Sequence, residues 1–358
     1  MAFITFNTQK FRENYEYLDR LFQSQGIRWS VVSKLLCGNE EYLKVLLSLN
    51  PSQLCDSRVS HLKAIKKLKP GIETAYIKPP PKRSIKSIVN YADISYNTEF
   101  QTIRLLSEEA GRQGKIHKIV IMIEMGELRE GVMRNEFMDF FEKVFELPNI
   151  EVIGIGTNLT CMYGVLPNSD KLIQLSLYEQ LIEARFNRSI PYVSGGSSVT
   201  IPLIHQGILP SGINHFRVGE TLFLGSNVYD GTPYDDMQQD IFKLYAEIIE
   251  LSEKPMVPDG ELGPNLEGES MEFDETKRGH VSFRAILDLG LLDIDAQHIW
   301  PVDENIKLVG ASSDMIVANL EGNKNGYKVG DLMEFRLDYM GTLRALSSNY
   351  IEKRIVNN

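Results

Sequence analysis

The chain has 358 residues, 43% of them hydrophobic and 24% charged, and carries a formal net charge of −10 at pH 7. That length and apolar content can bury one large domain and a smaller one, while an acidic excess spread along the chain argues against a nucleic-acid or anionic-membrane partner. No apolar run reaches the roughly 18 residues of a membrane span, and the N-terminal MAFITFNTQKFRENYEYL lacks the apolar core of a signal peptide. Cys37, Cys55 and Cys161 have no metal-ligand spacing and fit a reducing cytoplasm.

The first strong element is Ile27 to Lys34 (IRWSVVSK), a buried strand ending in a lysine, followed by a turn at Gly38 and a helix opening near Glu40. An amine at the C-terminal mouth of a strand, at the start of a strand-to-helix repeat, is where a barrel enzyme can hold a carbonyl cofactor as a Schiff base. Pyridoxal 5′-phosphate is the cofactor this position suggests; a solvated lysine ending a strand is the plainer alternative. Further runs suited to buried parallel strands are Gln53 to Asp56, Thr74 to Ile77, Ile94 to Tyr96, Lys118 to Ile123, Val152 to Gly156, Pro191 to Val193 and His215 to Val218. With Trp29 to Ser33 they make eight. Helical patterns fall between them at Glu40 to Leu49, Arg58 to Leu68, Glu99 to Gln113, Glu136 to Phe145 and Asp170 to Phe186. Eight such units in about 220 residues predict a (βα)8 barrel. An open doubly wound sheet competes, but no GxGxxG follows the first strand.

After Gly225 the pattern changes. Met237 to Glu253 reads as a helix, KPMVPDGELGPNLEGE as a Pro/Gly/Glu-rich connection, and Val281 to Leu289, Ile306 to Val309, Met315 to Ala318 and Leu332 to Leu337 as antiparallel strands with a turn at Asn323 to Gly326. The expected organisation is an α/β barrel over 1–226 and a smaller β-rich domain over 227–358, with the alternative that a first strand at 2–6 joins the latter.

Several stretches carry a resemblance: SKLLCGN (Ser33 to Asn39), MIEMGELREG (Met122 to Gly131), GIGTNLTC (Gly154 to Cys161), VSGGSS (Val193 to Ser198), GINHFRVGETLFLG (Gly212 to Gly225), EIIELSEKPMVPDGELG (Glu247 to Gly263) and VGASSD (Val309 to Asp314). In this order they resemble the fold-type III pyridoxal-phosphate enzymes of the alanine racemase family, and within it the ornithine racemase-like branch. The resemblance implies that Lys34 is the cofactor lysine and that Arg217 faces the pyridine nitrogen. A guanidinium there donates a hydrogen bond and accepts none, which weakens the ring as an electron sink and favours proton movement at Cα over loss of carbon dioxide.

The phosphate is expected at the seventh and eighth strands, on Gly196, Ser197, Ser198, Gly219 and Glu220. Tyr339, in what reads as a final β stretch, resembles the tyrosine that reaches toward that phosphate, and a core tyrosine is an equal reading. Arg129 resembles the arginine beside the cofactor phenolate and substrate carboxylate. Asn158 stands where alanine racemases have a histidine bonded to the pyridine-facing arginine; a turn asparagine is its plain reading.

In the family a tyrosine from the partner subunit serves the second face of Cα, but FRAILDLGLLDID contains none. Asp293, Asp314, Asp295 and Cys161 are the candidates, and Leu292 and Met315 stand where the branch carries Gln and His. The six histidines are scattered, so no metal site is expected. The resulting expectation is a cytoplasmic, homodimeric racemase whose small-molecule substrate is an amino acid, a basic one such as ornithine or lysine first. An alanine or broad-specificity racemase and a non-catalytic pyridoxal-phosphate-binding or homeostasis protein are the alternatives.

Overall fold

The computed structural model describes residues 2–264, 268 and 270–357. Strand β1 (Phe3–Asn7) runs into helix α1 (Thr8–Ser24), whose buried Phe11, Tyr15, Leu18 and Phe22 recur every three or four positions. The chain divides into two compact units, Lys10–Gln239 and a second made of the residues up to Gln9 together with those from Asp240 onward.

In the larger unit β2 (Arg28–Val32), β3 (Gln53–Asp56), β4 (Glu73–Tyr76), β5 (Ile94–Asn97), β6 (His117–Met122), β7 (Ile150–Gly156), β8 (Tyr192–Ser194), β9 (Gly196–Ser197) and β10 (His215–Val218) form one parallel sheet. Strands β8 and β9 are two halves of one strand interrupted at Gly195. The first half pairs with β7 and the second with β10, which itself pairs with β2, so the ring closes. The eight strand runs of the sequence thus become a (βα)8 barrel. Helices α2 (Glu40–Ser48), α3 (Val59–Leu68), α4 (Ile85–Tyr91), α5 (Phe100–Arg112), α6 (Phe137–Phe145) and α7 (Ser169–Phe186) follow successive strands, with short α8 (Ile201–His205) and α9 (Glu220–Leu224) after the last two. Side-chain caps begin three of them: Asn39 accepts from Glu41 and Tyr42 N–H, Glu99 from Thr102 and Asn168 from Lys171. The barrel interior is filled by Cys55, Ala75, Ile94, Tyr96, Val120, Met122 and Ile153.

The smaller unit contains β11 (Phe242–Pro255), β12 (Val281–Leu287), β13 (Ile299–Pro301), β14 (Lys307–Ala311), β15 (Ile316–Glu321), β16 (Leu332–Leu337), helix α10 (Tyr339–Ser347) and β17 (Glu352–Val356). Its order is β13-β16-β11-β12-β15-β14, and β1 joins it, antiparallel to β11 and parallel to β17. Two expectations are corrected here. The helix predicted over Met237 to Glu253 is largely strand β11: Phe242, Leu244, Ala246 and Ile248 are buried while Lys243, Tyr245 and Glu247 are less so, a period of two and not 3.6. Tyr339 does not lie in a β stretch but opens α10, because Asp338 caps the helix by accepting from Gly341 N at 2.8 Å. Part of the Pro/Gly/Glu-rich connection, 265–267 and 269, lies outside the described residues. Among the described residues no helix is long and apolar enough to cross a membrane.

Phe6 is fully buried and stacks on Phe242 with 5.1 Å between ring centroids. Phe6→Ala is therefore expected to destabilise the unit built on β11 by about 3–5 kcal/mol. In urea unfolding this appears as an earlier transition of Trp300, in β13, with that of Trp29, in β2, left in place. A shift confined to Trp29 would contradict this packing.

Candidate active site

Arg217 lies on β10 near the C-terminal end of the barrel, only 7% exposed. Its Nη1 donates to Ser194 O at 3.1 Å and also to Ser194 Oγ, and Nη2 donates to Thr157 O at 2.7 Å. The guanidinium carbon stands 5.0 Å from the centroid of the Tyr96 ring. Among the described residues no carboxylate pairs with it; carbonyls, a hydroxyl and a π face carry the charge.

A polar chain continues beneath Arg217. Ser194 Oγ lies 2.8 Å from His215 Nδ1, His215 Nε2 lies 2.8 Å from Ser30 Oγ, and Ser30 Oγ donates to Gln53 Oε1 at 2.5 Å. Since the Ser30 proton goes to Gln53, Ser30 accepts from Nε2–H and His215 Nδ1 accepts from Ser194. That leaves the Ser194 lone pairs for Arg217. Burial pushes His215 down to about 3, and the charges of Arg217 and Arg28 act in the same direction. Burial also pushes the Cys55 thiol and the Tyr96 hydroxyl up to about 12.

Lys34 sits at the same end of the barrel, in the 3-10 turn Ser33–Leu36 directly after β2, and is half-buried. The turn is anchored by Ser33 Oγ, which donates to Asp56 Oδ2 at 2.9 Å; Asp56 is buried and its Oδ1 also holds Arg58 N at 2.9 Å and His61 Nδ1 at 3.0 Å.

The loops after β6 and β7 form a second assembly. Glu127, which sequence reasoning did not single out, is 1% exposed and accepts from five backbone N–H groups: Thr160 (3.1 Å), Cys161 (2.7 Å), Met162 (2.5 Å), Tyr163 (2.9 Å) and Val165 (3.1 Å). Burial pushes its carboxyl up, but the bonds from Met162, Tyr163, Cys161 and Val165 together outweigh burial and hold it at about 2. Arg129 pairs with Glu130, and its Nη1 touches Cys161 Sγ. In the amide orientation that satisfies its surroundings, Asn158 Oδ1 accepts from Arg129 Nη1 at 3.0 Å and from Nη2. The expected bond from Asn158 to the pyridine-facing arginine is thus not formed. Thr157 meets Arg217 through its carbonyl, and the next side chain turns to Arg129. The only signal for Glu127 was a carboxylate in a glycine-punctuated loop, EMGELREG, and that pattern fits many surface turns.

At the end of the ring, a Cβ on Gly196 would lie 2.3 Å from the Phe216 ring, so that position needs bare backbone, and one on Gly219 would sit tightly, 3.2 Å from Val32 Cβ. Ser197 N–H donates to Thr200 Oγ1 at 3.3 Å, and Ser198 Oγ accepts from Thr221 N at 3.3 Å, joining this turn to the start of α9 at Glu220. Thr157 Oγ1, in the stretch that carries the carbonyl bonded to Arg217, is buried with no partner. Lys34, Arg129, Asn158, Gly196, Ser197, Ser198, Arg217, Gly219 and Glu220 therefore all lie at or just beyond the C-terminal ends of barrel strands.

Asp293, Asp314 and Tyr339 belong to the smaller unit. Leu291 N and Leu292 N donate to Ser312 O and Ser313 O, each at 2.9 Å, which sets the Asp293 and Asp314 loops side by side with Leu292 and Met315 exposed at 67% and 40%. Asp293 accepts from Ser348 Oγ at 2.8 Å and Asp314 from Ser313 Oγ at 2.9 Å, whereas Asp295 caps Gln297 N and pairs with Arg344 at 3.3 Å.

The family model for the alanine racemase N-terminal domain matches residues 6–227. The chain belongs to the alanine racemase family. It is 36% identical over 354 residues, 99% of each chain, to the ornithine racemase of Acetoanaerobium sticklandii. It is 30% identical over 349 residues to the lysine racemase of Thermotoga maritima, covering 97% of this chain and 96% of that one. The fold is similar to that of alanine racemase from Bartonella henselae with covalently bound pyridoxal phosphate, with a TM-score of 0.74, 16% identity and 99% of each chain covered.

Two buried histidines set an acid limit on this barrel. Burial pushes His215 down to about 3 and His117 down to about 4 from an ordinary 6.5. In the unfolded chain both take up protons below 6.5, while the folded barrel refuses them. Their contribution to stability is complete above pH 6.5 and falls toward pH 4 by about 1.4 kcal/mol per pH unit for each histidine. His215→Gln should remove its share of that slope in urea titrations; an unchanged slope would mean that His215 is charged in the folded protein.

Proposed function

We propose that this protein is a pyridoxal 5′-phosphate-dependent amino-acid racemase, working as a homodimer on a basic amino acid such as ornithine or lysine. The observation that carries the reading is Arg217, a buried cation without a carboxylate, close to the barrel mouth that Lys34 also occupies. The orphaned Thr157 hydroxyl beside the carbonyl that holds Arg217 fits a polar cofactor at this mouth. Held covalently by Lys34, pyridoxal phosphate supplies an electron sink that acidifies the Cα–H bond of an attached amino acid.

In this reading Gly196, Ser197, Ser198, Gly219 and Glu220 hold the phosphate. Arg217 donates to the ring nitrogen without accepting its proton, which favours moving the Cα proton over breaking a carbon–carbon bond. The Lys34 amine carries that proton on one face. Arg129, oriented by Asn158, holds the substrate carboxylate or the cofactor phenolate. The names of the two relatives, ornithine racemase and lysine racemase, support a basic substrate. An ammonium entering a partly desolvated pocket needs an acid beside it.

A second copy is the source of that acid. Its Asp293, held by Ser348, serves the opposite face of Cα, and its more exposed Asp314 meets the side-chain ammonium. Exposed Leu128, Met162 and Tyr163 around Arg129, and exposed Leu292 and Met315 beside the two acids, support such an association. All three cysteines are thiols, which supports a reducing, cytoplasmic setting.

Single L-amino acids followed by polarimetry test the reaction. L-ornithine and L-lysine should lose optical rotation fastest, and Lys34→Ala should abolish the loss along with borohydride trapping of cofactor on the Lys34 peptide. Fastest turnover of a neutral amino acid would overturn the basic-substrate reading, and no turnover of any would overturn the racemase reading.

The two acids separate by kinetics. Asp314→Asn should raise KM for ornithine about tenfold or more while leaving that for alanine in place, and Asp293→Asn should lower kcat for both. Equal effects on the two substrates would remove Asp314 from side-chain recognition, and a fully active monomer in sedimentation would remove the second copy.

A further inference from the structure

We infer that Glu127 is a positioning residue for the reaction: its carboxylate holds the 157–165 loop in the shape that sets the Arg129 guanidinium in place. The inference rests on the racemase reading, in which Arg129 meets substrate or cofactor. Glu127 is buried, and among the described residues no cation forms an ion pair with it; the five backbone N–H groups of Thr160, Cys161, Met162, Tyr163 and Val165 bond its carboxylate directly, and Arg129 feels its charge through space. Left-handed backbone at Thr160 (φ 57°) and Gly164 (φ 71°) shapes the turn whose N–H groups converge on the carboxylate. Such a clamp cannot be loosened by moving a neighbouring side chain. The loop must open as a whole, exposing five donors and a charge together.

What the clamped loop holds is Arg129. Cys161 supplies the sulfur at Nη1, and Asn158, at the root of the same loop, supplies the amide oxygen for Nη1 and Nη2. On its own loop Arg129 has Glu130, a pair between consecutive residues that fixes the guanidinium to its neighbour but not to the barrel. The restraint that relates Arg129 to the end of β7, where Thr157 holds Arg217, therefore runs through the loop Glu127 shapes. A purely structural staple would change stability and leave substrate binding alone. A positioning residue must change KM, and must do so through Arg129.

The test compares the parent with E127Q, which keeps the side-chain size but turns an NH2 group toward the converging donors. Hydrogen exchange of the 160–165 amides should accelerate by about tenfold or more. KM for the amino acid the parent turns over fastest should rise, with kcat/KM falling by up to about a hundredfold. In an R129K background E127Q should add little, because the group it positions is already lost. Unchanged exchange overturns the clamp. Faster exchange with an unaltered KM, or effects of E127Q and R129K that simply add, overturns positioning. If E127Q fails to fold, N158A tests the same link from the other side: KM should rise with 160–165 exchange unchanged, and an unaltered KM overturns the inference. A parent that turns over ornithine while these variants keep its KM defeats this inference alone; a parent that racemises no amino acid defeats the function reading first, and this inference with it.

Discussion

A buried guanidinium with no carboxylate beside it is the constraint around which the barrel mouth is arranged. Removing such a charge from water costs several kcal/mol unless every donor direction is met. Arg217 meets the cost with carbonyls of Thr157 and Ser194, the Ser194 hydroxyl and the Tyr96 ring, drawn from the ends of three strands besides its own. Those ends must converge, and the polar groups below must keep one protonation pattern. His215 stays neutral with its proton on Nε2, Ser194 then faces Arg217 with its lone pairs, and Ser30 passes its proton to Gln53. A protonated His215 would both lose the Ser194 donor and repel Arg217.

Most of the barrel was legible because its strands are buried on both faces and therefore read as short apolar runs in register with a strand-to-helix repeat. Strand β11 was not. Tyr245, Glu247 and Glu250 interrupt its apolar positions, so Met237 to Glu253 fits a helical spacing as well as an alternating one. What decides is pairing with β1, from the far end of the chain, and with β16 and β12 on its other stretches. Such non-local pairing leaves no mark in a local window. Helix α10 was hidden for a smaller reason: its start depends on Asp338 acting as a cap, while the preceding Leu332 to Leu337 reads as continuous strand.

The same division runs through the candidate site. Lys34, Arg217 and the Gly196 to Ser198 turn were legible because strand ends locate them. The loops were not. In EMGELREG three glutamates look alike, yet Glu124 accepts from Gly126 N at 2.5 Å, Glu127 is buried under five N–H groups, and Glu130 pairs with Arg129. Only the left-handed turns at Gly126 and Leu128 distribute them so. Asn158 differs in a related way: the resemblance implies a side-chain bond to Arg217, but it is the Thr157 carbonyl that meets Arg217 while the Asn158 side chain meets Arg129.

Among the buried charged groups of the mouth, Arg217 and Glu127 are of opposite sign, and they are not paired with each other. Had they been, each would have cancelled the other's field and left the surrounding backbone free. Instead main-chain groups meet both, carbonyls for the cation together with the Ser194 hydroxyl and the Tyr96 ring, and N–H groups for the anion, so each ties a loop to the barrel. The anion is enclosed beneath the 160–165 turn, whereas the field of Arg217 acts on Cys55, Tyr96 and His215, opposing ionisation of the histidine and favouring that of the thiol and phenol. A preorganised cation on a rigid scaffold can stabilise negative charge at the mouth without rearranging when that charge appears. Moving a proton at Cα under a cofactor asks the same of the protein, since charge develops and disperses while the groups that meet it stay where the backbone holds them.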